Sequence, residues 1–181
     1  RAQPSETRLF LERGKTVSIA ELLRGLIVVS ANDAARILAE TLAGNEAAFA
    51  ELMNKEAERL GMRDSHFANA TGLPDPLHYS SAYDLALMTA AILDDFPEHF
   101  PLYSMREYEY NSIKHYNRNR LLWLDSNVDG MKTGHTESTG YGLVATAKRN
   151  NHRLVSVVLA TNSEHIRSSE SQRLLNHGFQ D

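Results

Sequence analysis

A change of rhythm near residue 100 constrains this chain more than any other feature of its sequence. Before it, apolar residues recur every three or four positions; after Pro101 they alternate or fall in short runs bounded by turns. Residues 1–17 read as an extended loop with a short strand near residues 9–11. Ser18-Ile19-Ala20-Glu21 has the form of a capping box, in which the serine caps the helix start and the glutamate reaches back. The helix it opens shows an apolar face of Leu22, Leu23, Leu26 and Ile27, then breaks at residues 28–30. A second helix is predicted over 33–42, closed by Gly44. Asn45 caps a third, with Phe49, Leu52, Met53, Ala57 and Leu60 at helical spacing and Gly61 as its stop. Residues 62–80 carry Thr71-Gly72-Leu73-Pro74-Asp75-Pro76 and read as loop, after which Ser81 caps a fourth helix running to about Leu93.

The second half reads differently. Residues 107–111 alternate tyrosine with polar side chains, as a half-buried strand does. The short apolar run 121–124 leads into an Asp125-Ser126-Asn127 turn, and strands are predicted over 128–136, 141–149 and 152–160. Asn150-Asn151 between the last two has hairpin-turn composition. Residues 163–177 read as a closing helix with Gly178 as its stop. Helices, then strands, then one helix argue an α+β fold with an antiparallel sheet, and not a βαβ series. The division expected is a mainly helical region over 18–100, then the strands and terminal helix over 101–181.

Length and composition remove several classes. At 181 residues the chain is about one domain long. With 42% hydrophobic and 23% charged residues, disorder and coiled coil are excluded, and no apolar run reaches the ~18 residues of a membrane span. A net charge of −4 gives no general attraction to nucleic acid. No cysteine is present, so disulfides, zinc-thiolate sites and thiol nucleophiles are ruled out. The eight histidines show no metal-ligand spacing, and no metal site is expected.

Two clusters carry the chemistry. Ser30-Ala31-Asn32 places a hydroxyl and an amide two residues apart at the junction of two helices. Both can face one cleft, or both can simply cap the helix that follows. Lys132-Thr133-Gly134-His135-Thr136 lies on a predicted strand, with a positive charge, hydroxyls and a glycine that lets another backbone approach. An extended peptide can pair with such a strand. The alternative is an edge strand kept soluble by its lysine, with the glycine as a bulge.

Together, Ser-x-Asn followed about a hundred residues later by Lys-Thr-Gly is the layout of the penicillin-interacting serine enzymes. Leu22-Leu23-Arg24-Gly25-Leu26 before Ser30-Ala31-Asn32-Asp33-Ala34-Ala35 sharpens the match, as do Gly72-Leu73 ahead of Tyr79-Ser80-Ser81-Ala82-Tyr83-Asp84, Asn117-Arg118-Asn119-Arg120-Leu121-Leu122-Trp123, and Val128-Asp129-Gly130-Met131 before Lys132. Across nearly its whole length the chain resembles the D-alanyl-D-alanine carboxypeptidases, the low-molecular-mass penicillin-binding proteins. The resemblance implies a β-lactamase/DD-peptidase-like fold, an antiparallel sheet flanked by helices plus a helical subdomain, incomplete in this chain. It also implies a reaction in which a serine, activated by a lysine one helical turn later, attacks the penultimate D-alanine carbonyl of a peptidoglycan stem peptide ending in D-Ala-D-Ala. Acylation by β-lactam antibiotics, no cofactor and no nucleic-acid partner follow by the same resemblance, as does a place in the bacterial periplasm, peripheral to the inner membrane.

Carried over by motif, Ser30 relays a proton to the leaving amine beside Lys132, and Asn32 holds the substrate amide. Thr133 binds the terminal carboxylate, Gly134 and His135 line the peptide and help form the oxyanion hole, and Arg167 takes the place of a carboxylate-binding arginine. His135 is a candidate for tuning pH dependence, or simply a strand residue beside the cleft.

The nucleophile motif itself, Ser-x-x-Lys, is not in the sequence: none of its serines, from Ser5 to Ser171, has lysine three residues later. In the family that motif precedes Ser-x-Asn by several dozen residues, so the chain is expected to be part of one catalytic domain whose nucleophile lies on an upstream fragment. The β-rich domain and membrane-binding tail usual in the family are likewise expected beyond residue 181. A class A β-lactamase would need Glu-x-x-x-Asn on a loop, and between the two clusters only Glu107 and Asn111 have that spacing, on a predicted strand. A non-catalytic peptidoglycan-binding or scaffold protein is the competing reading from another class.

Overall fold

The computed structural model describes residues 6–180. Helix α1, Ile19–Arg24, starts from the expected capping box: Ser18 Oγ accepts the Glu21 N–H, and Glu21 reaches back to Ser18. The predicted break at 28–30 is narrower than expected. A π-helical turn, Gly25–Val29, continues α1, and only Ser30 turns the chain, in the left-handed region at φ 61°, ψ 39°. That conformation costs a non-glycine residue about 1–2 kcal/mol. Helix α2, Asn32–Ala43, and helix α3, Glu46–Leu60, follow; Asn45 caps the latter through the Ala48 N–H. After the loop, Ser81 caps α4, Ala82–Asp95, through the Asp84 N–H.

Past a 3-10 segment, Phe100–Ser104, come strands β1, Glu107–Tyr110, and β2, Ile113–Tyr116, which pair antiparallel. The alternation of residues 107–111 announced β1 but not its partner. Asn111 and Ser112 join them with φ 49° and 62°, a two-residue turn. The apolar run 121–124 is a single helical turn, α5, Leu121–Leu124. Strands β3, Val128–Thr136, β4, Gly140–Arg149, and β5, His152–Thr161, form one antiparallel sheet in the order β3-β4-β5, so among the described residues β3 is an edge. Helix α6, Glu164–Gly178, is capped by Ser163 and runs through Gly178, one residue past its expected stop. The fold is α+β.

Alternation along β4 gives the sheet two apolar faces. Leu143, Ala145 and Ala147 pack with Leu121, Leu122, Val128 and Leu175, the side of α5 and α6. On the other side Val144 joins Phe100 and Met131, with Leu85, Ile92 and Leu93 of α4 against them. A third core gathers Leu22, Val28, Val29, Ala34 and Leu38 under Tyr108 and Tyr110 of the β1–β2 hairpin.

The strand expected near residues 9–11 does not form. The N–H groups of Leu9 and Leu11 go instead to the two carboxylate oxygens of Asp33, which satisfies the backbone without a neighbouring strand. Leu9 is buried against Gly25, where a Cβ would lie 2.2 Å from Leu9 Cδ1. Among the described residues no helix is long and apolar enough to cross a membrane.

Candidate active site

Ser30 sits where the π-helical turn becomes α2, and this local geometry removes the capping reading. The residue at the N-cap of α2 is Ala31, with no side-chain cap, so neither Ser30 nor Asn32 serves as one. Instead Lys132 Nζ, 102 residues away in sequence, donates to Ser30 Oγ at 2.9 Å and to the Thr133 carbonyl at 2.9 Å. The Asn32 side chain makes no hydrogen bond among the described residues, and its amide remains available. Its backbone N–H donates to Thr7 O at 2.9 Å.

Edge strand β3 distributes its side chains to two sides. Lys132 reaches across to Ser30, whereas Thr133 and His135 have Leu143 and Tyr141 as cross-strand partners. Leu143 packs with Leu175 of α6, so this second side faces α6. His135 stacks on Tyr141, with ring centroids 3.8 Å apart and planes 12° from parallel, and its Nδ1 lies 3.1 Å from Gly140 O. The Arg167 guanidinium lies 5.5 Å from the centre of the same Tyr141 ring. Gly134 is exposed, with open space where a Cβ would stand, and the register irregularity of β3 falls at Val128/Gly130 rather than there. The glycine therefore leaves the strand edge clear and marks no bulge.

Arg167 is the least accessible of the predicted residues, at 2% exposure. It donates to the Arg118 carbonyl at 3.3 Å and lies 3.9 Å from Glu164, while its Nε has no partner among the described residues. Burial draws the guanidinium below its ordinary value, against the pull of Glu164. Burial likewise lowers the Lys132 ammonium to about 8, and the positive charges of Arg118 and Arg167 push the same way. Two arginines thus add positive charge at Lys132, offset in part by Glu164 beside Arg167, an electrostatic setting suited to an incoming carboxylate.

Arg118 had been visible in the sequence only as part of a motif, without a role. Its neighbours supply the reason it faces outward. Buried Asn117 donates to the Met105 carbonyl and accepts from the Asn119 N–H, and buried Asn119 donates to Gly130 O, so Arg118 between them is left exposed. The Asn-x-Asn spacing was the available signal. Tyr141 had none beyond its place opposite His135, which depends on the β3–β4 register.

A groove of about 560 Å³ runs between α5 and α6 and shares no residue with this cluster. Its polar groups are tied to one another: Asp125 accepts from Arg149 and Gln172, and Asn176 from the same two. Among the described residues no group of three or more His, Asp or Glu side chains could hold a metal ion.

The site thus joins a serine on a helical turn to a lysine on an edge strand, with the charges of Arg118 and Arg167 felt at the lysine. Residues 2–163 match the model of the peptidase S11 family, D-alanyl-D-alanine carboxypeptidase, and the chain belongs to this family. D-alanyl-D-alanine carboxypeptidase DacA of Haemophilus influenzae is 47% identical over 178 residues, covering 97% of this chain and 45% of the relative. Penicillin binding protein 5 from Haemophilus influenzae superposes with a TM-score of 0.95 at 46% identity, over 98% of this chain and 52% of that one. Penicillin-binding protein D2 from Listeria monocytogenes, in its cefotaxime-bound form, gives 0.89 at 31% identity, over 98% and 73%. The chain spans about half the length of the curated relatives it matches.

Proposed function

We propose that this chain builds the substrate-side wall of the active site of a serine D-Ala-D-Ala carboxypeptidase, as part of one catalytic domain. The observation that carries the reading is the Lys132 to Ser30 hydrogen bond, which joins the two motif clusters across the fold at 2.9 Å. The nucleophilic serine and its lysine come from residues outside these 181, since no Ser-x-x-Lys occurs among them.

In the reaction, the nucleophile oxygen bonds to the carbonyl carbon of the penultimate D-alanine. The C–N bond to the terminal D-alanine breaks, and the leaving nitrogen takes a proton through Ser30 Oγ, which Lys132 orients and polarises. Water then hydrolyses the ester, releasing the shortened peptide and restoring the serine. Asn32 holds the substrate amide, and Thr133 with Lys132, Arg118 and Arg167 receives the terminal carboxylate. The free edge of β3, kept clear at Gly134 and beside His135, pairs with the peptide backbone. A β-lactam, which presents a strained amide and a carboxylate, acylates the same serine. The cefotaxime-bound relative supports this. The setting is the periplasmic face of the bacterial envelope, where the full protein lies peripheral to the membrane and meets peptidoglycan stem peptides.

Glu107 and Asn111 lie on β1 and in the hairpin turn after it, not on a loop facing Ser30 or Lys132, which supports carboxypeptidase over a class A β-lactamase. A non-catalytic peptidoglycan-binding role is the second reading, favoured by the missing nucleophile motif. Substitution tests the choice in the protein that carries this chain. Ser30→Ala and Lys132→Met are each expected to lower turnover of a D-Ala-D-Ala peptide by about 10²–10³-fold, the range for a positioned proton-transfer or electrostatic group. A binding module would show no turnover in the parent protein and a change in affinity alone.

A further inference from the structure

We propose that Thr7 is a positioning residue of this site, coupling the Ser30-Ala31-Asn32 turn to the exposed cation Arg118. Its carbonyl accepts the Asn32 N–H at 2.9 Å, and its hydroxyl accepts from Arg118 Nη2 at 3.2 Å, across 111 residues of sequence. That is the one side-chain hydrogen bond of Arg118 among the described residues, so Thr7 alone selects the orientation of this guanidinium. The segment bearing Thr7 is itself fixed on both sides. Glu6 forms a two-point ion pair with Arg36 of α2, at 3.1 Å for each contact. On the other side Asp33 holds the Leu9 and Leu11 N–H groups, and the Leu9 side chain is buried against Gly25. A clamped extended strap with one hydroxyl aimed at a long, otherwise unpaired arginine is an arrangement that orders a charge before a ligand arrives.

The inference rests on the reading of this cluster as the carboxylate-binding wall. It also accounts for a link between distant residues, since Arg118 is one of the two charges that depress Lys132.

The test compares Thr7→Val, which keeps the branched shape and removes the hydroxyl, with Thr7→Ser, which restores it. Both are made in the full-length protein that carries the nucleophile segment. With a peptide ending in D-Ala-D-Ala, Thr7→Val is expected to raise KM about 5–10-fold with kcat changed less than twofold, and Thr7→Ser to stay within twofold of the parent. In an Arg118→Gln background Thr7→Val should have no further effect on KM. By ¹³C NMR the Lys132 titration midpoint should move up in Thr7→Val, where the freed Arg118 spends time farther away, and not in Thr7→Ser.

Additive effects of Thr7→Val and Arg118→Gln would overturn the proposal, as would an unchanged KM. Equal losses in Thr7→Val and Thr7→Ser that follow the melting temperature would also overturn it. Should Thr7→Val fail to fold, Thr7→Ala takes its place: a KM rise that vanishes in the Arg118→Gln background supports the proposal, and an unchanged KM overturns it. A parent protein without turnover would overturn the functional reading alone, and the Lys132 titration would still decide for or against Thr7.

Discussion

Taking Lys132 out of water beside two arginines lowers its pKa to about 8, within reach of ordinary working conditions. The sign of the consequence is fixed by the charge that carboxylate recognition needs. Below about pH 8 the ammonium is present and attracts a carboxylate; above it that attraction fades. The kcat/KM profile of the enzyme carrying this chain is therefore expected to fall on an alkaline limb near pH 8. A bound carboxylate favours the protonated lysine, so the limb in kcat should lie at higher pH. Arg118→Gln removes a positive neighbour and should move the kcat/KM limb upward, which a pH–rate series would detect. The same shift affects folding in the opposite sense. An unfolded lysine titrates near 10.5, so the native state holds this proton less tightly, and stability gains from Lys132 as pH rises from about 8 to 10.5.

Elements make the site possible through their edges and turns. Among the described residues strand β3 has an unpaired edge, and β4 and β5 close back on each other through Asn150-Asn151, whose φ values of 46° and 66° belong to a tight two-residue hairpin turn. Glycine adopts that geometry with less strain than asparagine. Asn151→Gly is expected to stabilise the fold by about 0.5 kcal/mol in denaturant titration without altering acylation. The opposite turn is less forgiving. Gly140 has φ 71°, and a Cβ there would lie 2.6 Å from the Thr161 carbonyl oxygen, a backbone atom that cannot move aside. Gly140→Ala should cost about 2 kcal/mol or more and displace the partner of His135 Nδ1, raising KM as well as lowering stability.

The capped helices, the β4–β5 hairpin and the two motif clusters were legible in the sequence because their signals are local. Ser18, Asn45, Ser81 and Ser163 each cap the helix that follows. The π-helical turn ahead of Ser30, the partner strand β2 and the strap around Thr7 were not legible. The first has no composition of its own, β2 is four residues long with three of them exposed, and the strap forms through the side chain of Asp33 some twenty residues away. At the site, residue types pointed to Lys132 and Ser30, but not to Tyr141 or to the orientation of Arg118, which depend on register and on contacts between distant segments.

At the scale of the whole molecule, the sheet divides the labour. Its helical-region side brings Ser30 to Lys132, its α6 side brings Arg167 and Tyr141 beneath Thr133 and His135, and the edge strand joins the two. The Ser30–Lys132 and Arg167–Tyr141 contacts join distant segments, so the site is complete only when the cores on both faces of the sheet have formed. On the proposed reading the chain contributes recognition and proton transfer, set around a nucleophile from outside these 181 residues.

Mapping the site of covalent penicillin attachment tests that claim most directly. The protein carrying this chain would be labelled with a fluorescent penicillin, denatured and digested, and the modified peptide identified by mass. The adduct is expected on a serine followed by lysine three residues later, outside these 181 residues. An adduct on Ser30, or on any other serine of this chain, would overturn the proposed division of roles.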